Sequence, residues 1–312
     1  MTFSNSLRIL IVHFGDVNKT GNCVKSIQNC IENPWKYQIV VIDNSGEKQL
    51  YKSEFDKIYD RVTIISVEAN EGYAAALNHG IRFSENDDTA FFLLLNNDLI
   101  LEPEALAKLY HAVVESPAAG LWGGTLVLSD NPEIIWFGGG EIQPALCRTK
   151  HKFFKKNRAT ITNFKKSNDF ITGAMMLVER EVFTEIGLFS TDYFLYFEDV
   201  DFCSRAQRSG FYPIVTPDVL AKHDVGAMQN RSYTPEYLYY QTRNRAYFFS
   251  SYSGFFYRIY FQIVNLLVFV LFRTIFIFFT NSKTTRMECC KAVLSGYWHS
   301  LKKVKWTGRT RQ

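Results

Sequence analysis

Apolar runs of strand length, separated by helix-like segments, constrain the fold of this chain more than any other feature. The runs cover residues 7–14, 38–42, 62–67 and 90–95. Such continuous runs are typical of strands that are buried on both faces of a parallel sheet. Helices are predicted between and after them at 22–31, 73–83 and 102–116. Because strands alternate with helices at short spacing, this part of the chain predicts an α/β domain with a mostly parallel sheet.

Short strand-like pieces continue further along the chain, and a basic segment interrupts them. The pieces are 121–128, 134–137, 175–178 and 212–216. Residues 148–166 carry eight Lys or Arg and no acid. We interpret this basic segment as a surface loop, with a contact to phosphates or to a membrane as the alternative.

The overall composition indicates a folded protein. The chain has 312 residues, of which 47% are hydrophobic and 21% are charged, so wholesale disorder is excluded. Its six cysteines form no CxxC pair and no Cys/His zinc spacing, and the short polar N-terminus does not resemble a signal peptide. We therefore expect a protein of a reducing, cytoplasmic compartment whose thiols are buried and inert.

The composition changes after residue 250. Segment 255–280 is almost wholly apolar, but its uninterrupted part, 266–272, is shorter than the roughly 20 residues that a spanning helix needs. A helix lying in the membrane surface is therefore favoured, with a buried core helix and a true span as alternatives. Residues 281–312 carry eight Lys or Arg against one acid, Glu288, which indicates an anionic membrane surface as partner. No nucleic-acid-binding motif accompanies this charge, so nucleic acid is not an expected partner.

Polar clusters follow two of the predicted strands, at the edge where ligands bind in open α/β sheets. Asp43 and Asn44 follow the second apolar run, and the fourth is followed by Asn96, Asn97 and Asp98. A carboxylate with a carboxamide suits a divalent cation held against a diphosphate, because Mg²⁺ and Mn²⁺ prefer oxygen ligands. The same residue types also form ordinary turns, which is the alternative interpretation.

Three acids stand within four residues, at Glu198, Asp199 and Asp201, among aromatic side chains. Like charges in such surroundings are unfavourable unless a metal, a cation or a proton relieves them. A carboxylate with raised proton affinity suits general-base chemistry, whereas a solvated helix N-terminus is the structural alternative. His223 follows the last predicted strand and is a candidate metal ligand, although a lone histidine is more often structural.

These motifs occur in the order found in one enzyme family. They are VVIDNS at 40–45, NEGYAAALNHGI at 70–81, LLLNNDLIL at 93–101, ITGAMMLVEREVFTEIGLF at 171–189, YFLYFEDVDFCSRAQRSGF at 193–211 and AKHDVG at 221–226. The chain resembles glycosyltransferase family 2, and especially its bacterial rhamnosyltransferase-like branch. The resemblance implies the GT-A fold over residues 1–250, with a mixed, mostly parallel central sheet plus C-terminal helices. Residues 251–312 would then form a helical, membrane-associating extension.

The resemblance also implies roles for individual residues. Asp199 matches the general base, and Asp98 with His223 matches the site of a divalent cation, Mg²⁺ or Mn²⁺. The implied donor-binding residues are Asp43, Asn44, Asn70, Gly72, Asn78, Asn96, Asn97 and Arg243. The sugar or the acceptor is expected to contact Thr172, Gly173, Ala174, Glu198 and Asp201. The chain departs from the family pattern at Asn96, which stands where an Asp is common, and at VHFGDVN of the first strand.

The implied reaction moves a sugar with inversion from a nucleoside-diphosphate donor, dTDP-rhamnose or a UDP-hexose, to a glycan hydroxyl. The expected acceptor is polyprenyl-linked and belongs to cell-surface polysaccharide biosynthesis (O-antigen or capsule), and the protein would be peripheral on the cytoplasmic face of the inner membrane. A non-catalytic nucleotide-sugar-binding module and a nucleotidyltransferase are the alternatives. A nucleotidyltransferase would need a Gly-rich, basic phosphate motif near the first strand, and Gly15, Lys19 and Gly21 lack its spacing.

Overall fold

A mixed sheet of nine strands dominates the part of the chain that the structure describes. This computed structural model describes residues 4–53, 55, 62–225, 234–251, 254–280 and 283–302. Its strands are β1 (Ser6–His13), β2 (Lys36–Asp43), β3 (Val62–Ser66), β4 (Phe91–Asn96), β5 (Leu99–Leu101), β6 (Gly120–Leu128), β7 (Ile135–Phe137), β8 (Gly140–Gln143), β9 (Arg148–His151), β10 (Met175–Glu179) and β11 (Tyr212–His223). The sheet order is β3-β2-β1-β4-β10-β6-β11-β5, with β7 beside β6, while β8 and β9 pair separately.

The prediction of a mixed, mostly parallel sheet is confirmed. Strands β1 to β4, β6 and β11 run in one direction, and β5, β7 and β10 run against them. The four apolar runs of the sequence became β1 to β4, and nearly all the apolar residues of β1, β2 and β4 are buried. A central strand covered on both faces needs apolar side chains on both, which explains why these runs do not alternate with polar residues.

One edge of the sheet collects the polar residues predicted for the site. Parallel register places Asp43 beside His13 and Asn96 beside Val12, so β1, β2 and β4 end next to one another. β10 runs antiparallel to β4 and begins where β4 ends, which brings the loop 172–174 to the same edge.

The far end of β11 delivers His223 to this edge. β11 pairs with β5, and His223 lies opposite Leu99, the residue after Asp98. The sequence predicted a strand only over 212–216, but β11 is 12 residues long and ends at His223. The strand passes Pro217 by irregular pairing, with register shifts between Thr216 and Ala221, because a proline lacks the N–H that a regular ladder needs.

Among the described residues, six α-helices precede residue 226 and four follow it. They are α1 (Val17–Gln28), α2 (Gln49–Lys52), α3 (Tyr73–Phe83), α4 (Ala105–Glu115), α5 (Arg180–Ile186), α6 (Glu198–Arg208), α7 (Pro235–Ser251), α8 (Phe255–Val264), α9 (Arg273–Thr280) and α10 (Lys283–Leu301). The prediction that the first helix starts at residue 22 is wrong. It starts at Val17, because the carboxylate of Asp16 accepts the backbone N–H of Asn18 at 2.8 Å and caps the helix.

The basic segment 148–166 is only partly the surface loop that was expected. Its first four residues form β9, and the ring of His151 packs on Trp136 and Phe137 at centroid distances of 5.0 and 4.9 Å. Phe153 and Phe164 stack on one another at 5.6 Å. Exposed residues occupy the middle, 154–160, where the loop interpretation is correct.

The described chain divides into two compact units. The first holds residues 1–141, 151–191 and 198–225, and the second holds 142–150, 192–197 and 226–312. The domain boundary predicted at residue 250 is therefore not where the units divide, since α7 belongs to the second unit. Within that unit, Leu238 of α7 shares a buried cluster with Cys289 and Val293 of α10.

The apolar segment of the second unit is one continuous helix. α8 and α9 are joined by a π-helical stretch, Asn265–Phe272, so that Phe255–Phe279 forms a rod of 25 residues. Among the described residues it is the one helix long and apolar enough, by length and composition alone, to cross a membrane. Its described buried side chains are Phe261, Asn265, Val270 and Ile277. The alternative of a buried core helix is therefore wrong, because most of its apolar surface is exposed.

Candidate active site

Asp98 and His223 meet at the sheet edge, as their assignment to one site predicted. Nε2 of His223 lies 3.1 Å from Oδ1 of Asp98. The imidazole is buried, whereas a quarter of the Asp98 side chain is exposed, so a ligand can approach the carboxylate. The ring of Trp136 stands edge-on to the imidazole at a centroid distance of 4.2 Å and an angle of 85°. This contact fixes the plane of the imidazole.

The donor set of this pair fits a divalent cation that takes its remaining ligands from a diphosphate. Mg²⁺ is commonly held by one or two protein carboxylates together with substrate phosphates, and imidazole is a good ligand for Mn²⁺. No group of three or more His, Cys, Asp or Glu side chains arranged to hold a metal is present in the described ranges. Asp98 and His223 would therefore not hold the ion by themselves. They would hold it together with a phosphate-bearing substrate.

Glu198 and Asp199 open helix α6 and differ in their exposure. Glu198 is 6% exposed, and its Oε2 has no hydrogen-bond partner among the described residues. Asp199 is partly exposed, and its two oxygens accept the backbone N–H groups of Gly173 at 2.9 Å and Val200 at 2.8 Å. These bonds aim the Asp199 carboxylate and leave it further lone pairs for a substrate hydroxyl.

The electrostatics of this pair favour proton transfer. Burial raises the pKa of Glu198 well above its ordinary value, and the charges of Asp199 and Asp201 raise it further. Burial also raises the pKa of Asp199, against the lowering effect of the N–H donors of Gly173 and Val200. Two adjacent carboxyl groups of this kind hold a proton readily, which is the condition for general acid–base chemistry.

Tyr73 is hydrogen-bonded to the loop beside the acids, and the sequence did not single it out. Its hydroxyl donates to the carbonyl oxygen of Gly173 at 2.6 Å. Burial raises the pKa of Tyr73 well above 10, and Glu198, Asp199 and Asp98 each raise it further. The hydroxyl is therefore within electrostatic reach of both groups of acids and stays protonated. Its position inside the motif 70–81 was the available signal, but the residue was interpreted only as a helix start.

The predicted nucleotide-binding loop is held by its own hydrogen bonds. The buried carboxylate of Asp43 accepts the backbone N–H and hydroxyl of Ser45 at 3.1 and 2.6 Å, and the N–H of Leu50 at 2.9 Å. Asn44 donates to Oδ1 of Asn70 at 3.0 Å, and the same oxygen accepts the N–H of Gly72 at 3.0 Å. These are the contacts of the turn alternative, and the base-binding role of Asp43 stays a prediction.

Several other predicted site residues have structural partners. The amide of Asn78 makes two bonds to the backbone of Phe189, at 2.9 and 3.1 Å. Asn97 donates to Oγ1 of Thr20 at 3.0 Å, which holds the start of α1 against the end of β4. These contacts orient the edge of the sheet, and any substrate contact by Asn78 or Asn97 stays a prediction.

Asp201 and Arg243 also serve their local structure. The carboxylate of Asp201 accepts Nε of Arg205 at 2.9 Å, one helical turn away. Arg243 lies in the second unit, where it donates to the carbonyl oxygen of Asp192 and to Oδ1 of Asn244. The predicted sugar contact of Asp201 and diphosphate contact of Arg243 are not tested by these bonds.

The loop 172–174 is positioned by the strand that follows it. The carbonyl oxygen of Ala174 accepts the N–H of Asn96 at 2.9 Å, and Oγ1 of Thr172 accepts the N–H of Ala174 at 3.3 Å. A Cβ added at Gly173 would lie 3.3 Å from the ring of Tyr73 and 3.5 Å from the side chains of Asp199 and Glu198. The loop therefore lies beside the acids, and its predicted contact with the sugar or the acceptor stays a prediction.

Lys19 and Asp224 adjoin the cation-binding pair and were not predicted as site residues. Nζ of Lys19 lies 2.8 Å from Oδ2 of Asp224. The hydrogen bond to Asp224 raises the pKa of Lys19, and the charges of Asp98 and Asp16 raise it further. The backbone N–H of Asp224 donates to the carbonyl oxygen of Asp98 at 3.0 Å. Lys19 was considered only within a phosphate-loop spacing, which the chain lacks, whereas its proximity to Asp98 arises from the fold.

Comparison with known proteins agrees with this geometry. Residues 9–187 match the profile of glycosyl transferase family 2, and this match covers more than half of the chain. The chain belongs to glycosyltransferase family 2. It is therefore a glycosyltransferase, and the resemblance drawn from its motifs is confirmed.

Three curated relatives indicate the part of the family to which the chain is similar. It is 26% identical over 252 residues to the low-salt glycan biosynthesis hexosyltransferase Agl10 of Haloferax volcanii, covering 78% of this chain and 75% of that protein. It is 24% identical over 255 residues to the dTDP-rhamnosyl transferase RfbF of Shigella flexneri, covering 77% and 78%. It is 25% identical over 186 residues to the N-acetylglucosaminyl-diphospho-decaprenol L-rhamnosyltransferase of Mycobacterium tuberculosis, covering 53% and 59%.

Solved structures confirm the GT-A fold. The chain aligns with GalNAc-T7, solved with UDP, GalNAc and Mn²⁺, with a TM-score of 0.63 at 15% identity. That alignment covers 96% of this chain but spans only 56% of the length of GalNAc-T7. The mannosyltransferase PcManGT from Pyrobaculum calidifontis, solved with GDP-Man and Mn²⁺, aligns with a TM-score of 0.59 at 13% identity, covering 96% and 88%. Identities this low support the fold alone.

Proposed function

We propose that this glycosyltransferase moves a sugar, with inversion, from a nucleoside-diphosphate donor to a hydroxyl group of a glycan acceptor. Asp199 carries the proposal, because it is the partly exposed carboxylate of the acid pair and is aimed by the N–H groups of Gly173 and Val200. dTDP-rhamnose and a UDP-hexose are the proposed donors, in line with the names of the relatives RfbF and Agl10.

In the proposed reaction, Asp199 accepts the proton of the acceptor hydroxyl as its oxygen bonds to the anomeric carbon. The bond between that carbon and the diphosphate oxygen breaks on the opposite face, and the nucleoside diphosphate leaves with the electron pair. Asp98 and His223 would hold a divalent cation, Mg²⁺ or Mn²⁺, which neutralises charge on the departing diphosphate when it is bound. The raised pKa of Asp199 makes it a stronger base than an exposed aspartate.

The test of this assignment is the variant Asp199→Asn. It keeps the size of the side chain but cannot accept the proton, so we expect kcat to fall by about 10²-fold or more. Donor affinity, measured by calorimetry with the nucleoside diphosphate and Mn²⁺, should not change. Glu185→Gln, which removes an exposed acid of α5, is the matched control.

Near-normal turnover of Asp199→Asn would refute the general-base assignment. Hydrolysis and transfer should first be measured for the unmodified protein with dTDP-rhamnose and a set of UDP-hexoses. Binding of a donor without turnover of any of them would instead support the non-catalytic binding module.

We propose that the acceptor is a polyprenyl-linked glycan and that the protein is peripheral on the cytoplasmic face of the inner membrane, in cell-surface polysaccharide synthesis (O-antigen or capsule). The support is the exposed apolar rod Phe255–Phe279, which includes Phe256 at 85% and Leu267 at 55% exposure. Met287 and Trp298 of α10 are exposed beside basic residues of the same helix. Such a combination binds anionic membrane surfaces. The name of the mycobacterial relative, which acts on a decaprenol-linked sugar, agrees with this acceptor class.

Flotation with anionic vesicles tests the membrane association. The unmodified chain should float, and the double variant Phe256→Glu with Leu267→Glu should float less, because two charges oppose insertion of the apolar face. Phe83→Glu, at an exposed apolar residue of α3, is the matched control. A chain that stays unbound with anionic lipid present would contradict the proposal. Retention in membranes after alkaline extraction would contradict the peripheral arrangement and favour a span.

A further inference from the structure

A buried arginine in the second unit has no acidic partner among the residues that the structure describes. Arg245 of α7 is 5% exposed. Its Nη2 donates to Oδ1 of Asn265 at 2.9 Å, and its guanidinium lies over the ring of Phe269, 3.3 Å from the centroid. Among the described residues no carboxylate forms an ion pair with it. A buried cation without an anion is strongly unfavourable.

Two hydrogen-bond donors at this place have no acceptor within the described chain. They are Nε of Arg245 and Nδ2 of Asn265, both on buried side chains. Burial lowers the pKa of Arg245 well below its ordinary value, and the charge of nearby Arg273 lowers it further. Arg245 and Asn265 thus direct N–H groups to one place, and the positive charge of Arg273 lies near Arg245. Arginine and amide N–H groups are the usual ligands of phosphate oxygens.

The surrounding backbone and surface indicate how a ligand reaches this region. Asn265 begins the π-helical stretch Asn265–Phe272, and such stretches occur frequently at functional sites. Arg273 follows that stretch and is partly exposed, and Leu266 and Phe272 of the same rod are exposed apolar residues. An anion that arrives here comes with apolar surface next to it, which is the character of a lipid.

We propose that Arg245, Asn265 and Arg273 form a binding site for the phosphate group of a membrane lipid. The shared chemistry is a phosphate anion with an apolar chain, supplied by a phospholipid headgroup or by a polyprenyl diphosphate. The site rests on the membrane association proposed above, but it is separate from the Asp199 assignment, since binding is measured without donor or turnover.

The test follows thermal unfolding of the full chain during titration with farnesyl diphosphate. A ligand that binds only the folded state stabilises it by RT ln(1 + [L]/Kd), so the melting temperature rises once the ligand concentration exceeds Kd. We expect the melting temperature of the unmodified chain to rise with added ligand, and Arg245→Met to need at least about tenfold more ligand for the same rise, because a charged hydrogen bond to phosphate is lost. Met fills a similar volume without charge, and such replacements of buried ions are often tolerated. Arg258→Met, at an exposed arginine of the same rod, should titrate like the unmodified chain.

Further titrations distinguish the two sources of the phosphate, a phospholipid headgroup and a polyprenyl diphosphate, and include the results that would overturn the proposal. Stabilisation by phosphatidylcholine vesicles that contain phosphatidylglycerol, lost in Arg245→Met, would support a headgroup as the source. Stabilisation by farnesyl diphosphate without an effect of those vesicles would support a polyprenyl diphosphate. An equal rise in melting temperature with inorganic pyrophosphate at the same concentrations would overturn the lipid assignment. Identical titrations of Arg245→Met and the unmodified chain would overturn the site. Should Arg245→Met not fold, Asn265→Leu removes the second donor and takes its place. Asp199→Asn should bind normally in every arm, so failure of the catalytic assignment leaves this proposal intact.

Discussion

Tyr73→Phe removes a hydroxyl group that joins helix α3 to the loop beside the proposed base. The hydroxyl donates to the carbonyl oxygen of Gly173 at 2.6 Å, and the N–H of Gly173 donates to Oδ2 of Asp199 at 2.9 Å. Phenylalanine keeps the ring and its packing. The variant therefore loses one hydrogen bond and leaves the Gly173 carbonyl without its donor.

The expected cost follows from that loss. An unsatisfied buried carbonyl and its missing hydrogen bond amount to about 1–3 kcal/mol. For a unit of this size each kcal/mol lowers the melting temperature by roughly 2–4 °C. If about 1 kcal/mol of this also loosens the aim of Asp199, kcat should fall by roughly fivefold, since 1.36 kcal/mol is a factor of ten in rate. The KM for the donor should change little, because the hydroxyl holds the proposed base and not the nucleotide.

Differential scanning fluorimetry and steady-state kinetics measure the two effects separately. Tyr51→Phe is the control, because its hydroxyl also donates to a backbone carbonyl, that of Ile64 at 3.2 Å, but on an exposed side chain of α2. A lower melting temperature with unchanged kcat in Tyr73→Phe would reduce the residue to a structural role. An unchanged melting temperature and unchanged kcat would refute the reasoning altogether.

Three further predictions concern charge, thiols and backbone. Because burial raises the pKa of Glu198, the folded chain holds a proton there that the unfolded chain releases, and stability falls as pH rises between the two pKa values. Glu198→Gln should therefore raise the melting temperature at mildly alkaline pH but not below about pH 4.3, the ordinary pKa of a glutamate. A gain in melting temperature that does not depend on pH would contradict this. Burial raises the pKa of Cys30 to about 11 and raises that of Cys23 further. Peptide mass spectrometry after maleimide treatment at neutral pH should therefore find both cysteines unlabelled. Labelled Cys23 in the folded protein would disprove its burial. Gly139 has φ +120°, and a Cβ there would lie 2.1 Å from Oδ1 of Asn168. Gly139→Ala should therefore lower the melting temperature by several degrees in fluorimetry. An unchanged melting temperature would show that the loop adapts.

The strands of the central sheet were predictable because a buried strand leaves a direct record in the sequence. The apolar runs 7–14, 38–42 and 90–95 had to be apolar on both faces, and they became β1, β2 and β4. The polar residues after them were predictable as a group, since parallel strands end at one edge. Asp98 and His223 illustrate this, because the sequence proposed their pairing and the structure places them 3.1 Å apart.

Elements that depend on contacts between distant residues were predicted poorly. The strand β11 was ended too early at Pro217, because the sequence does not reveal that neighbouring strands carry the ladder past an irregular pairing. Asp43 matched a nucleotide-binding position, yet its carboxylate also accepts three hydrogen bonds from its own loop. The residue type at a motif position does not specify whether its side chain binds the nucleotide or its own loop.

The sequence by itself determined the α/β sheet, the family and the acid pair Glu198–Asp199, because apolar periodicity and motif order are local properties of the chain. Only the tertiary structure decided how Asp199 is aimed, since its partner Gly173 lies 26 residues away and Tyr73 a further 100 residues before that loop. It also decided that Arg245 is buried beside Asn265 with no ion pair to an acid in the described part of the chain. Burial and hydrogen bonding arise when separate segments pack together, and no single segment encodes them.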